Sequence, residues 1–362
     1  MGLYNDLLKR IDELSFGFPK SFVGADKILI KKIFSPENAR NFLLMSKGYQ
    51  TAGEYAIKNG ITEEDARRRL DAMAERGLIL RRHRERGDEY GQHPFVMGFL
   101  EWQGNRAAEN KTWLYATSIY MISSNFGYRM SQTMPFYRTL PHHKEFVEGS
   151  VIKPYDDIEA LLDKHHRFAV AVCMCRLMDK MKPNNPCHHP LETCIETDDY
   201  ADFYIETGIG REITKEEALA ILREGEKDGR IIQATNSQEG ENFCSCCACG
   251  CGMLYLKKQY PGPSAAMWSN HFSVIDYDKC IGCGKCETRC TFGYIKKDKK
   301  TGKVSVDTGA CLGCGLCVST CPTGAIRLHQ KSEDKLYTPP VTYDDAMEIW
   351  EAETKKDYKH FK

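Results

Sequence analysis

Between residues 35 and 91 apolar positions recur at helical spacing in three short runs, each opened by a hydroxyl residue and closed near a glycine. "SPENARNFLLMSKG", "TAGEYAIKNG" and "TEEDARRRLDAMAERGL" predict three helices, with Ser35, Thr51 and Thr62 as N-caps and Gly48, Gly60 and Gly77 as stops. The stretch "LILRRHRERGDEYGQHPFV" then predicts a hairpin with a polar tip. Residues 97–150 include "EWQGNRAAENKTWLYATSIYMISSNFGYRM", an aromatic-rich segment that reads as helical and packs on the hairpin or a partner. Its Trp102, Trp113 and Tyr120 read as core rather than as a cofactor box. The unbroken apolar run from Phe168 to Val172 predicts a buried strand. "REITKEEALAILREGEKDGRII" predicts a scaffold helix, with Thr214 and Glu217 as capping box, Ala218, Leu219, Ile221 and Leu222 apolar, and Gly229 as stop. "HFSVID" and "KVSVD" are short strands. From about residue 343 an amphipathic helix offers Met347, Ile349 and Trp350 either to a partner groove or to the chain's own surface. No apolar run approaches the ~20 residues of a transmembrane helix.

Composition sharpens this picture at one point. With 362 residues, 42% of them apolar, the chain can build two or three ordinary cores without disulfides, so its 17 cysteines need another explanation. No secretory leader opens at Met1, which leads to the expectation of a cytoplasmic protein, where clustered cysteines bind metal more often than they form bridges. Lys plus Arg equals Asp plus Glu at 50 each, so no overall field attracts nucleic acid or an acidic membrane. Neither a G-x-G-x-x-G after a strand nor a phosphate-binding P-loop is present.

Eight of the 17 cysteines lie in "CIGCGKCETRCTFGY" and "CLGCGLCVSTCPTGA". Cys280, Cys283, Cys286 and Cys290 follow C-x2-C-x2-C-x3-C, and Cys311, Cys314, Cys317 and Cys321 repeat it before Pro322. Two residues between thiolates allow a tight loop to wrap an iron–sulfur cubane, and the glycines at 282, 284, 313 and 315 permit the positive φ that wrapping requires. A lone C-x2-C would point to zinc; two complete runs point to iron and sulfide. Residues 271–328 thus resemble a bacterial-type ferredoxin domain. The resemblance implies two [4Fe-4S] clusters, one on Cys280, Cys283, Cys286 and Cys321 and the other on Cys311, Cys314, Cys317 and Cys290. It also implies one-electron transfer in a small pseudo-symmetric α+β unit. Thr291 stands where the first run usually has proline, which bears on the local turn and the potential.

Nine cysteines remain. Cys173, Cys175, Cys187 and Cys194 suffice for one metal site: a third cluster, with Arg176 available to hydrogen bond or offset its charge, or structural zinc. His188 or His189 could replace a thiolate, although adjacent histidines are more often loop residues. Cys244, Cys246, Cys247, Cys249 and Cys251 cannot all serve one tetrahedral site, because Cys246 and Cys247 point apart in extended backbone. Either the run serves two sites or some thiols are free. A fourth cluster and a loan of thiolates to the Cys173 group are both open readings. "CMCR", "CHHPLETC", "GIGREITKEEAL" and "CSCC" together resemble iron–sulfur proteins of anaerobic bacteria and archaea that join such a module to a C-terminal ferredoxin. That resemblance implies clusters and names no substrate.

Three helices and a hairpin over residues 27–96 resemble a winged helix. Arg67, Arg68, Arg69, Arg81, Arg82, Arg84 and Arg86 would form its DNA face, but residues 61–90 carry eight Arg and also eight Asp plus Glu, so phosphate attraction is largely cancelled. The expectation is an α+β multi-domain protein. A winged-helix-like domain with an N-terminal extension covers 1–96, a helical packing segment 97–150, a Cys-rich α+β middle domain 151–270, a ferredoxin-like dicluster domain 271–328 and a tail 329–362. Its expected role is to pass single electrons between redox partners in anaerobic metabolism. That makes it an electron-transfer protein or a subunit of an oxidoreductase complex rather than a stand-alone enzyme. Its cofactors would be two [4Fe-4S] clusters plus one or two further clusters or zinc. The partner would be a redox protein, with no nucleic acid, and self-association through the winged helix is a further option. An iron–sulfur DNA-binding regulator and an oxidoreductase with its active site in the middle domain are the alternatives.

Overall fold

The computed structural model describes residues 2–104, 106, 111–149, 152–180, 184, 187–259 and 267–357. The three capped helices form at Pro36–Leu44, Ala52–Asn59 and Glu63–Glu75. The Ser35 and Thr62 hydroxyls accept from the amides of Asn38 and Asp65, and Thr51 and Glu54 cap each other's backbone reciprocally. Gly60 ends the second helix at φ 65°. The hairpin strands Leu80–Arg82 and Glu89–Gly91 are joined by an unforeseen strand, Tyr49–Thr51, with Glu89–Gly91 in the middle. Trp102, Trp113 and Tyr120 are buried in the shared core.

Residues 97–150 are not helical throughout. Helices span Lys111–Ser123 and Phe126–Ser131, but Tyr137–Leu140 and Val147–Glu148 are strands, and residues 105, 107–110 and 150 lie outside the described set. Tyr137–Leu140 enters a seven-stranded sheet that therefore begins before residue 151. Its order is Met267–Trp268, Tyr137–Leu140, Ile231–Thr235, Asn242–Cys246, Glu192–Thr197, Phe168–Val172 and Gly210–Ile213. All pairings are antiparallel except the first. Period-two alternation divides its side chains. Phe168, Val170, Ile195, Ile232 and Phe243 pack with residues of helices Ile158–Leu162 and Lys215–Asp228. Ala169, Ala171, Cys194, Ile231 and Cys246 face the large core that continues into the N-terminal helices.

In the C-terminal part His271–Ile275 pairs antiparallel with Ile326–Gln330, which also takes Val147–Glu148 as a parallel neighbour. Ile295–Lys297 and Val304–Val306 form a second ribbon. The tail helix Tyr343–Asp357 folds back on the chain itself. Trp350 is fully buried, its ring 4.5 Å from Phe16 and 5.4 Å from Phe136, and its Nε1 donates to the Met134 carbonyl at 3.2 Å. Met347 packs on the same core, while Ile349 stays exposed. Trp350 is thus withdrawn from any partner groove.

Between the N-terminal and middle parts, His93 is buried with its Nε2 3.1 Å from the Tyr49 hydroxyl and its ring 5.1 Å from Trp102. Burial, reinforced by the Arg82 charge, pushes its pKa down to about 3. A folded-state value below the unfolded one stabilises the fold above pH 6.5, and that contribution is lost as pH falls from there towards 3. His93→Gln should remove this slope: between pH 6.5 and 5, wild type should lose up to about 1.4 kcal/mol per pH unit more than the variant in denaturant titrations. Parallel pH profiles would contradict the assignment.

Candidate metal centres

The two regular cysteine runs fold against each other. A cavity at one end of the C-terminal domain is lined by Cys280, Cys283 and Cys286 of the first run and by Cys321 of the second. Cys290 lies instead near Cys314 and Cys317, close enough for its charge to act on both thiols. The loops are closed by glycines at positions with no room for a Cβ. Gly282 has φ 64°, and a Cβ there would stand 2.9 Å from the Gly302 carbonyl oxygen; at Gly313, φ 61°, it would stand 2.4 Å from that of His271. Four thiols converging on such cradles fit a thiolate-bound cubane.

The two sets differ in exposure. Cys283 is exposed, whereas Cys317 is buried beside the Ser273 hydroxyl at 3.1 Å, and burial pushes its thiol up to about 12. The Ser273 amide donates to Cys311 Sγ at 3.4 Å. The His142 amide donates to the Cys314 carbonyl at 3.1 Å, and the His142 ring Nε2 lies 2.8 Å from the Arg230 carbonyl. Through this one residue the inner set is joined to the flank of the seven-stranded sheet.

The nine other cysteines do not group by sequence run. Successive side-chain contacts connect Cys194, Cys244, Cys246, Cys251, Cys175 and Cys173 into one arc of six thiols. Cys187, Cys247 and Cys249 form a separate group, with Cys187 Sγ and Cys247 Sγ 3.7 Å apart. Cys187 is thus not brought to Cys173, Cys175 and Cys194, and the five-cysteine run is split between the two groups. Local structure explains the split. Cys194 and Cys244 are cross-strand partners, Cys244 and Cys246 share one face of their strand, and Cys247 leaves the strand with its side chain on the other side. Cys173 follows the strand Phe168–Val172 and stands at the N-cap of the helix Met174–Asp179, which carries Cys175 and Arg176. Cys251 directly precedes the helix Gly252–Gln259.

Within the arc, hydrogen bonds from Cys175 and Cys246 pull the Cys251 thiol down to about 5, and bonds from Cys194 and Cys246 hold Cys244 well below its usual range. Cys194 and Cys246, as donors to Cys244, are raised well above theirs. The arc thus gathers six thiols whose protons would have to leave for a metal to bind.

Polar side chains missed by the sequence analysis surround it. Glu196 is buried, accepts from Asn242 Nδ2 at 2.6 Å and lies 3.3 Å from Cys194 Sγ; burial raises its carboxyl well above the usual range. The Tyr137 hydroxyl lies 3.2 Å from Asn242 Oδ1 and 3.3 Å from Cys244 Sγ. The signal for two of them was period two: Glu196 shares a face with Cys194, and Asn242 with Cys244. Arg176 is buried, as a partner for thiolates needs to be. Its Nε donates to Cys247 Sγ at 3.4 Å, and its terminal nitrogens bond the Thr193 hydroxyl and the carbonyls of Pro190 and Ser245. His188 is exposed, and His189 Nδ1 lies 3.9 Å from Asp228.

Among the described residues no helix is long and apolar enough to cross a membrane. No curated protein and no solved structure matches the chain. Residues 273–328 match the family model of the 4Fe-4S dicluster domain, so this C-terminal part is an iron–sulfur domain of the class that transfers electrons.

Proposed function

We propose that the chain is a multi-cluster electron-transfer protein of anaerobic metabolism, working with a redox protein or as a subunit of an oxidoreductase complex. The observation that carries this reading is the convergence of Cys280, Cys283 and Cys286 with Cys321 inside the segment that matches the dicluster family. Clusters held there, and by Cys311, Cys314, Cys317 and Cys290, would supply one-electron oxidation and reduction. The chain's own residues divide the work. Exposed Cys283 places the outer set where a partner can approach, while Ser273 and the surrounding core keep water from the inner one. Lys279, Lys285, Lys296, Lys299, Lys300 and Lys303 are exposed in the same domain. Residues 277–327 carry nine Lys plus Arg against four Asp plus Glu, in a chain that is neutral as a whole. Two oxidised clusters on eight thiolates would add about four negative charges and bring the segment near neutrality, so the lysines between 296 and 303 offer a local contact for an acidic partner rather than a field of the whole domain.

The middle domain would hold one or two further metal centres. A second reading, an oxidoreductase whose active site lies there, is favoured by Glu196 and Tyr137 standing beside Cys194 and Cys244.

The order of helices and strands over residues 36–91 supports a winged helix, and its arginines support docking rather than DNA binding. Arg81 pairs with Asp71 and Glu206, Arg82 with Glu89 and Asp344, and Arg84 with Asp199. Glu206 and Asp199 belong to the helix Asp198–Glu206, so the wing is anchored to the middle part of its own chain.

Two measurements test the proposal. Cys321→Ala should abolish the reduced-state EPR signal of the cluster on Cys280, Cys283 and Cys286, and Cys290→Ala that of the other. If Cys321→Ala and Cys317→Ala instead erased the same signal, the crossed ligation would be wrong. At near-physiological salt the full chain should bind duplex DNA no more tightly than about 1 μM, the range of non-specific contacts. A nanomolar, steeply salt-dependent complex would put the regulator in its place.

A further inference from the structure

We propose that Cys187, Cys247 and Cys249 form a mononuclear site for one four-coordinate divalent ion, zinc by its ligand chemistry, with the fourth position open to an exogenous ligand. This deepens the proposed function, since it separates one metal ion from the iron–sulfur centres of the same chain. Spacing is the first argument. Two thiolates on one tetrahedral ion, with metal–sulfur bonds of about 2.3 Å, stand about 3.8 Å apart. Cys187 Sγ and Cys247 Sγ are 3.7 Å apart, and all three sulfurs lie within 4.8 Å of one another. Among the described residues no three thiols of the six-membered arc meet that limit. The six thiols of the arc are neighbours in succession but do not converge on one such point.

The ligand count is the second argument. Among the described residues no fourth Cys, His, Asp or Glu lies within the same limit, and His189 is oriented towards Asp228. Three protein ligands with a free position distinguish reactive tetrahedral sites from closed structural ones. Cys187 and Cys247 are buried and Cys249 is exposed, so the ion would be reached from the Cys249 side. Water would occupy that position, exchangeable for a small neutral donor.

The surroundings fit the charge. Three thiolates leave a divalent ion with one net negative charge, and the buried guanidinium of Arg176, donating to Cys247 Sγ at 3.4 Å, offsets it. Gly250 lets the loop close over the site: a Cβ there would lie 3.1 Å from Cys187 Sγ and 3.4 Å from Arg176 Cγ.

The test uses the full chain, purified without oxygen from cells supplied with iron and zinc, and assayed for iron, acid-labile sulfide and zinc. Wild type should contain about one zinc per chain. Cys249→Ser, and independently Cys187→Ser, should lose it while iron and sulfide stay at the wild-type level. Cys251→Ser should lower iron and sulfide and keep the zinc. Cobalt in place of zinc should show thiolate-to-cobalt charge-transfer bands that shift when imidazole is added. Loss of iron and sulfide on Cys249→Ser would overturn the site, as would zinc that survives both substitutions, and bands unmoved by imidazole would overturn its open position. A chain with zinc but no iron would instead sink the electron-transfer reading and leave this one standing.

Discussion

The pairing register of the strand Asn242–Cys246 governs where the thiols of the middle domain go. Phe243 fixes it. Its ring is buried with Leu222, Phe168 and Val170, and the neighbouring residues must therefore face the opposite side of the sheet. That side is where Cys244 meets Cys194 and where Cys246 points towards the core shared with the N-terminal helices. A slip of one residue would carry Phe243 among the thiols and bury Cys244 and Cys246 under the helix Lys215–Asp228. Asn242 reinforces the same register by donating to the Ile195 carbonyl at 3.2 Å as well as to Glu196. An apolar contact thus determines the geometry of a polar, thiol-bearing face.

Local signals were legible in the chain and distant ones were not. Ser35, Thr51, Thr62 and Thr214 cap helices as expected, because a cap is decided within four residues. The regular cysteine runs were legible for a similar reason: their spacing is itself the wrapping geometry. The regrouping of Cys187 with Cys247 could not be read, since it joins residues 60 apart through a sheet that was itself hidden. Several of that sheet's strands are short, and they bury polar residues such as Arg138, Thr139, Gln233 and Thr235 that disguise them as loops. Arg138 is tolerated because Asp156 pairs with it at 2.9 Å and its terminal nitrogens also donate to the Tyr155 and Ser237 carbonyls. Gln233 likewise donates to the Thr139 hydroxyl at 2.7 Å, 94 residues away, so much of the polarity that hid the strands is met by distant segments.

Charge shows the same dependence on context. Counting arginines between residues 61 and 90 established only that acids balance them; the structure pairs three of them, Arg81, Arg82 and Arg84, with carboxylates of other segments. Arg176 works in a tighter space. It touches Cys247 with one nitrogen and, with another, the carbonyl of Ser245, which lies between two cysteines of the six-membered arc. The two thiol groups therefore share one cation, and what alters the charge of either is felt by the other.

The tail helix has a consequence in time as well as in space. Tyr343–Asp357 follows every cysteine in the chain, and it pins three distant parts together: the Tyr343 amide donates to Glu241 Oε1, Glu353 accepts from the Met134 amide, and Trp350 closes over Phe16. During synthesis, when earlier segments fold first, the sheet that bears the thiols can form before this clasp emerges. The core around Phe16 and Phe136 therefore stays open on its Trp350 side until this helix emerges, by which time every cysteine has already left the ribosome.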